Sequence, residues 1–354
     1  MSIELIGWDI GGAHLKAAAL DASGHVLAVA LEPCPLWQGL DRLHTALDRI
    51  FQRFAPAPGC RHAATMTGEL VDLFPDRAAG VAALVDAMAA RCGRDRLWIY
   101  AGPRGFIAAA AVRPGDAGHI ASANWLASGA WVATRLEAAL WLDIGSTTTD
   151  IFPIHGHRVT VRGYTDYERM RYDELIYTGI ARTPVMAVAE RAPFEGEWVG
   201  LMAEHFATMA DVYRLTGELP EDADPLPAAD GGGKTWTDSA RRLARLFGRD
   251  ADSAPPQRWR DAARYFREQQ LAKLRSGVDR LGSRGLLDDS APVVGAGVGR
   301  FLAQELAQRL KLAYVDFSDL FAVPARVPRI ADCAPAVAVA LLAAREVGSD
   351  DPQD

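Results

Sequence analysis

Two short segments of the chain place an aspartate before isoleucine and glycine. Asp9 begins the segment DIGGAHLK, and Asp143 begins DIGSTTTD. A carboxylate at a strand end can hold hydrated Mg²⁺, which takes few protein carboxylates together with phosphate oxygens. A glycine beside it lets backbone N–H groups approach a phosphate because no Cβ intervenes. We therefore expect Asp9 and Asp143 to face one Mg²⁺–phosphate site from two domains.

The residues that follow each aspartate extend this expectation to a phosphate cradle. In the first segment the cradle would use Gly11 and Gly12, and Lys16 would add a positive charge unless it points to solvent. An ordinary β-turn is the competing interpretation. In the second segment Gly145 is followed by a hydroxyl run that would surround the anion, although threonine is also a common strand residue. The run consists of Ser146, Thr147 and Thr148.

Both aspartates lie in the same local pattern, which indicates a duplicated fold. Residues 5–20 and 140–154 each contain an apolar run, a glycine turn and a second apolar run. This pattern predicts two β-hairpins about one domain length apart. Apolar spacing or buried character predicts helices at several other positions. These are residues 40–54, 81–91, 120–135, 167–180, 198–216, 257–281 and 334–345.

A glycine-rich loop forms the third candidate element. Residues 292–310 read as strand, loop and helix, with Gly295, Gly297 and Gly299 in the loop. The loop follows the second hairpin, whereas a dinucleotide-binding fold carries such glycines after its first strand. Residues 217–235 read as a loop because they are rich in proline, glycine and aspartate.

The order of hairpin, helix, hairpin, glycine loop and final helix resembles the actin/hexokinase/Hsp70 superfamily. Within it the chain is similar to the hydantoinase/oxoprolinase family, and most similar to a branch linked to tetrahydromethanopterin-dependent one-carbon metabolism, whose archaeal members make a methanofuran precursor. The resemblance covers nearly the whole chain. It is carried by residues 65–74 (TMTGELVDLF), 123–125 (ANW), 143–150 and 178–185 (TGIARTPV).

The resemblance implies an α/β, actin-like ATPase (ribonuclease H-like) fold with two duplicated domains, a central cleft and a helical insertion. The first domain would cover residues 1–136, and a C-terminal helix at about 334–347 would return to it. The second domain would cover residues 137–333 and carry the insertion at about 165–285.

The resemblance also implies a reaction. An (aminomethyl)furanylmethyl diphosphate would alkylate the phenol oxygen of (glutamyl)tyramine and release diphosphate, with Mg²⁺ held by Asp9 and Asp143. A phenol with a pKa of about 10 needs a proton acceptor at neutral pH. The candidates are Asp150, Glu69 and His14, among which the sequence does not choose.

Three further side chains could contact the substrate. Arg162 and Arg182, like Arg171, could bind glutamate carboxylates, although most arginines are surface residues. Asn124 could contact the substrate or form a helix packing pair with Trp125. The His155–Gly156–His157 stretch reads as a turn because no third metal ligand is evident.

Other functions remain open on the sequence. An ATP-dependent small-molecule kinase or a ring-opening hydrolase would use the same three phosphate elements, so ATP is a further candidate cofactor. A non-catalytic sensor or assembly partner is a third alternative, and the retained aspartates argue against it.

The composition of the chain limits the classes of binding partner and the location that we expect. The net charge of -7 argues against nucleic-acid binding. The four cysteines are scattered, without a zinc-site spacing. The N-terminus runs straight into the first motif and the longest late apolar run is short, so we expect a cytoplasmic protein that does not enter a membrane. The partner would be a phosphorylated small molecule, and the helical segments could form a homodimer surface or a substrate cap.

Overall fold

The structure is a computed structural model that describes residues 2–288, 290–321 and 327–346. The strands of these residues are numbered in chain order. They are β1 (Leu5–Ile10), β2 (His14–Leu20), β3 (Val26–Pro33), β4 (Arg61–Met66), β5 (Leu97–Tyr100), β6 (Phe106–Ala108), β7 (Ala138–Ile144), β8 (Thr149–His155), β9 (Arg158–Val159), β10 (Leu175–Ile176), β11 (Arg191–Phe194), β12 (Glu197–Gly200), β13 (Val293–Ala296) and β14 (Tyr314–Asp316).

The α-helices of the same residues are numbered likewise. They are α1 (Leu40–Phe54), α2 (Arg77–Cys92), α3 (Ala117–Ile120), α4 (Asn124–Ala133), α5 (Asp166–Arg171), α6 (Met209–Thr216), α7 (Trp236–Leu246), α8 (Pro256–Gly282), α9 (Arg300–Leu310) and α10 (Ala334–Glu346).

The chain divides into two compact units. Unit 1 contains the described residues up to Glu137, Gly156–Val159, and those from Phe317 onwards. Its sheet has the order β3-β2-β1-β4-β5-β6, in which β1 pairs antiparallel with β2 and parallel with β4. The C-terminal helix α10 packs on β1 so closely that a Cβ on Gly7 would lie 2.2 Å from the Ala336 carbonyl oxygen. Glycine at this position therefore permits the contact.

Unit 2 contains Ala138–His155 and Thr160–Asp316. Its sheet has the order β10-β8-β7-β13-β14, in which β7 pairs antiparallel with β8 and parallel with β13. In each unit the first strand of the hairpin thus has its hairpin partner on one side and, on the other side, two further strands that run parallel to it. The predicted duplicated α/β fold is confirmed. The segment predicted as a helical insertion, residues 165–285, lies in unit 2 and contains α5 to α8.

The boundary at the end of unit 2 differs from the sequence expectation. The second domain was expected to extend to residue 333, but the described residues from Phe317 onwards group with unit 1. Phe317 is fully buried and packs edge-on against Trp131 of α4, with ring centroids 5.1 Å apart. This aromatic contact supplies the physical reason, since it fixes the chain to unit 1 directly after β14.

Two predicted helices of unit 2 are shorter than the sequence pattern indicates. In the stretch 167–180 the helix α5 ends at Arg171, because Asp173 adopts a left-handed φ of +55° and the chain continues into β10. In the stretch 198–216 only the last residues are helical. Their start is set by a capping box on Thr208, and a turn at Gly196 (φ +90°) forms the β11–β12 hairpin before it.

The predicted helix over residues 120–135 is interrupted in the structure. It begins as α3, breaks at Ser122, whose φ is +51°, and resumes as α4 at Asn124. The helices predicted at 40–54, 81–91, 257–281 and 334–345, and the strand, loop and helix at 292–310, are confirmed. No α-helix in the described parts of the chain is long and apolar enough to cross a membrane.

Candidate active site

The turn of the first hairpin, residues 11–13, joins β1 to β2 and is bound by a neighbouring loop. The Gly11 N–H donates to the His14 carbonyl oxygen at 3.0 Å and closes the turn. Cys34 and Leu36 donate their backbone N–H groups to the last two carbonyl oxygens of the turn, at 2.8 and 3.0 Å. The N–H of a trans peptide points opposite to its C=O. The N–H groups that share these peptides therefore point away from the loop, as an anion site requires.

Asp9 lies in β1 directly opposite Lys16 of β2, and only 2% of its surface is exposed. Lys16 Nζ is 3.4 Å from Asp9 Oδ2, so Lys16 contacts the carboxylate. Asn124, at the start of α4, donates from Nδ2 to Asp9 Oδ1 at 3.3 Å. Asn124 Oδ1 in turn accepts the N–H of Trp125 at 2.8 Å, which orients the amide. The first predicted site thus brings together a carboxylate, a cation and an amide.

Glu69 and His14, two predicted proton acceptors, are both buried in unit 1. Glu69 is 1% exposed, and its Oε1 accepts a hydrogen bond from Ser122 Oγ at 2.8 Å. Because Ser122 stands two residues before Asn124, this bond ties the loop after β4 to the segment that carries Asn124. His14 begins β2 at the end of the turn.

The second hairpin turn, residues 145–148, joins β7 to β8. The Gly145 N–H donates to the Thr148 carbonyl oxygen at 2.9 Å. Ser146, Thr147 and Asp143 are half-buried. The second predicted cradle therefore has the same construction as the first.

Asp150 lies opposite Asp143 in the hairpin and forms an ion pair with Arg169 of α5. The Arg169 Nη2 atom is 2.9 Å from Asp150 Oδ1, and the same nitrogen donates to the Glu174 carbonyl oxygen at 2.8 Å. Arg169 is 1% exposed. The Asp150 carboxylate, one of the predicted proton acceptors, is thus bound to α5 through a buried ion pair.

A segment that we call the strap, residues 178–183, runs along the second hairpin turn. The Ile180 N–H donates to the Gly145 carbonyl oxygen at 3.1 Å. Ala181 and Arg182 donate their N–H groups to the Ser146 carbonyl oxygen at 3.1 and 2.8 Å. These bonds direct the N–H groups of the same two peptides away from the strap, because the chain contains no cis peptide bond among its described residues.

The glycine loop after β13 reaches the end of β7. Ala296 of β13 lies beside Asp143, and the Gly299 N–H donates to the Ile144 carbonyl oxygen at 2.8 Å. Gly297 has a φ of +79°, and a Cβ on it would lie 2.4 Å from Asp143 Oδ1. A Cβ on Gly295 would lie 2.6 Å from the Tyr314 hydroxyl oxygen. The loop is thus placed against the second aspartate, and its glycines allow that approach.

The predicted substrate arginines are exposed. The backbone N–H of Arg162 donates to Glu174 Oε1 at 2.7 Å, while its side chain lies at the surface of unit 2. Arg182 belongs to the strap and also exposes its side chain. The predicted turn at 155–157 is confirmed by the φ of +60° at His157. No group of three or more histidine, cysteine, aspartate or glutamate side chains in the described chain could hold a metal ion.

Sequence reasoning missed three buried side chains of unit 2 that act on the second hairpin. Arg169 pairs with Asp150, Gln270 binds the strap, and Thr183 accepts a hydrogen bond from Gly179 within the strap. Residues 178–185 had been noted as a family signature that contains the candidate substrate residue Arg182. A signature segment that follows a phosphate hairpin is the signal that could have suggested a contact with its turn.

A family model and two curated relatives match the chain. The model described as hydantoinase/oxoprolinase matches residues 61–345. A protein of Methanocaldococcus jannaschii is 27% identical over 308 residues, which cover 86% of this chain and 89% of that protein. It is named (4-{4-[2-(gamma-L-glutamylamino)ethyl]phenoxymethyl}furan-2-yl)methanamine synthase. A protein of Methanococcus vannielii with the same name is 29% identical over 106 residues, 30% of this chain and 47% of that protein.

A solved structure supports the fold. The nucleotide-free structure of acetone carboxylase, an enzyme of ATP-dependent acetone carboxylation, aligns with 96% of this chain and 70% of its own chain. The TM-score is 0.59 and the sequence identity 12%. Together with the repeated sheet order, this similarity confirms the actin-like α/β fold predicted from the sequence.

Proposed function

Because this chain belongs to the hydantoinase/oxoprolinase family, we propose that it is an enzyme that forms the aryl ether of a methanofuran-type cofactor precursor. The observation that carries the proposal is the 27% identity, over 86% of the chain, to a relative whose name specifies a phenoxymethylfuran product. The match spans 89% of that relative, so it covers both units rather than a shared fragment.

The proposed reaction joins an (aminomethyl)furanylmethyl diphosphate to γ-glutamyltyramine. A bond forms between the phenol oxygen and the furylmethyl carbon, and the bond between that carbon and diphosphate breaks. Diphosphate leaves with the electron pair, and the phenol proton is released. A furylmethyl carbon can carry positive charge as diphosphate departs, so the main requirement is stabilisation of the leaving anion.

The hairpin turns could supply that stabilisation. In unit 2 the carbonyl oxygens of Gly145 and Ser146 accept hydrogen bonds from the strap, so the N–H groups of Ser146 and Thr147 are fixed in the opposite direction. Fixed N–H donors bind an anion without having to reorganise during the reaction. In unit 1 the loop at Cys34 and Leu36 would have the same effect on the first turn.

Under this proposal Asp143 is the carboxylate of unit 2 that would hold a Mg²⁺ ion, and Asp9 is the corresponding carboxylate of unit 1. Asp143 Oδ1 lies next to Gly297, where a side chain would otherwise stand 2.4 Å away. A carboxylate oxygen is the ligand type Mg²⁺ prefers, and Mg²⁺ usually completes its shell with water and phosphate rather than with a protein cage. When bound, the ion would neutralise charge on the departing diphosphate.

The phenol needs only a moderate proton acceptor under this proposal. Attack on a carbon that already carries positive charge makes the phenolic proton acidic as the C–O bond forms, so a strong base is unnecessary. Asp150 is committed to Arg169, and Glu69 accepts a bond from Ser122. We therefore propose that Asp150 and Glu69 are positioning groups. His14 is then the proposed proton acceptor among the three candidates.

The test is to incubate the purified chain with the furan diphosphate, γ-glutamyltyramine and Mg²⁺, with and without ATP. We expect the ether and diphosphate in equal amounts, with no requirement for ATP. Asp143→Asn should lower the turnover by about 10²- to 10³-fold, the usual effect of losing one group that stabilises developing charge. Turnover that depends on ATP and produces ADP would instead support a kinase or a hydrolase.

A further inference from the structure

The strap that binds the second hairpin turn is itself held by one buried side chain of α8. Gln270 is fully buried, and its Nε2 donates to Thr178 Oγ1 at 2.7 Å and to the Gly179 carbonyl oxygen at 2.9 Å. The Tyr213 hydroxyl of α6 donates to Gln270 Oε1 at 2.5 Å. A backbone carbonyl oxygen can only accept a hydrogen bond, so the contact with Gly179 fixes which end of the amide faces the strap.

The strap also packs closely against the hairpin turn. A Cβ on Gly179 would lie 2.4 Å from the Thr147 nitrogen and 2.6 Å from the Gly145 carbonyl oxygen. The Gly179 N–H donates to Thr183 Oγ1 at 2.8 Å, which holds the strap in its bent form. The backbone of Gly179 therefore lies too close to the turn to admit a methyl group, and in such close packing a displacement of the strap displaces the turn.

We propose that Gln270 is a positioning residue for the anion site: through the strap it fixes the peptide groups whose N–H donors bind the departing diphosphate. This inference rests on the proposed function, which supplies the identity of the anion. Gln270 does not touch the ligand. It acts because its amide binds both Thr178 and Gly179, the first two residues of the strap.

A purely structural role for Gln270 would give a different experimental result from a positioning role. Loss of a buried hydrogen bond lowers the stability of the whole unit, but it has no reason to affect one ligand more than another. If Gln270 positions the turn, its removal should weaken diphosphate binding and slow diphosphate departure. The KM of the phenolic substrate should stay unchanged.

The test compares Gln270→Met with Gln269→Met, a change of the same kind at the preceding, half-buried position of α8. Binding of inorganic diphosphate with Mg²⁺ is measured by calorimetry, and kcat and KM are measured for each substrate. Loss of one net hydrogen bond corresponds to about fivefold and loss of two to about thirtyfold. We expect Gln270→Met to bind diphosphate about five- to thirtyfold more weakly, and Gln269→Met to bind it like the wild type.

A second variant covers the case in which Gln270→Met fails to fold. Thr183→Val keeps the side-chain shape but removes the acceptor of the Gly179 N–H, so it should weaken diphosphate binding by about fivefold. Wild-type affinity for diphosphate in the folded variants would overturn the inference, as would an equal effect on both substrates. A wild-type chain that binds diphosphate through this turn but makes no ether would refute the proposed function alone.

Discussion

Replacing Gly297 by alanine should slow the reaction, because the added methyl group would occupy the space beside Asp143. The Cβ would lie 2.3 Å from the Ile144 carbonyl oxygen and 2.4 Å from Asp143 Oδ1, whereas ordinary contact begins at 3.4 Å, so the end of β7 and the carboxylate must move by about 1 Å. A displacement of that size in an active site costs about 100-fold in rate, which is about 2.7 kcal/mol of activation free energy. The φ of +79° adds about 1–2 kcal/mol of backbone strain for alanine.

The assay separates the steric effect from the strain by a matched control. Gly285 also belongs to unit 2 and has a φ of +66°, but nothing lies within 4 Å of the Cβ that alanine would add. Gly285→Ala should therefore lose only the stability that the backbone strain costs, and it should keep wild-type turnover at a temperature where both variants are folded. The reasoning is refuted if Gly297→Ala keeps its turnover, or if both variants lose turnover equally.

Three further predictions concern stability and reactivity. Arg169→Met should lower the free energy of unfolding by about 3 kcal/mol, because it leaves the Asp150 carboxylate without its buried cation; urea unfolding that matches the wild type would contradict this. Burial lowers the pKa of His62 from 6.5 to about 4, so the unfolded chain binds a proton that the folded chain does not. The free energy of unfolding should thus fall by about 3 kcal/mol between pH 6.5 and pH 4, and His62→Phe should remove that dependence; an unchanged pH profile in the variant would be evidence against it. Burial raises the pKa of Cys60 to about 11 and of the other three cysteines to about 12, so iodoacetamide at pH 8 should label them by mass spectrometry only after unfolding; rapid labelling of the folded chain would contradict their burial.

The hairpins and the glycine loop could be predicted because their signals are local. Asp-Ile-Gly after an apolar run specifies a strand that ends in a turn, and the same signal at Asp9 and Asp143 indicates duplication. The glycine at 297 follows a strand and precedes a helix, which are the positions where a φ above zero and a close approach are expected. None of these inferences depends on which residues pack against the turn.

The residues that hold the site in place could not be predicted, because their contacts join positions that are distant in the sequence. Gln270 and Thr178 are 92 positions apart, and the amide contacts the strap only through the packing of α8 in unit 2. Arg169 appears in the sequence as one arginine among many, and its pairing with Asp150 depends on where α5 ends. The predicted helix over residues 198–216 included the end of β12, because strand alternation there is too short to outweigh helical spacing in the sequence.

The central claim is that the phenol oxygen displaces intact diphosphate from the furylmethyl carbon. The most direct measurement uses γ-glutamyltyramine labelled with ¹⁸O at the phenol, together with unlabelled furan diphosphate, and follows both products by mass spectrometry. The account predicts that the label is retained in the ether and absent from diphosphate, with one diphosphate released for each ether. Label in the phosphate product, or an unlabelled ether, would contradict it.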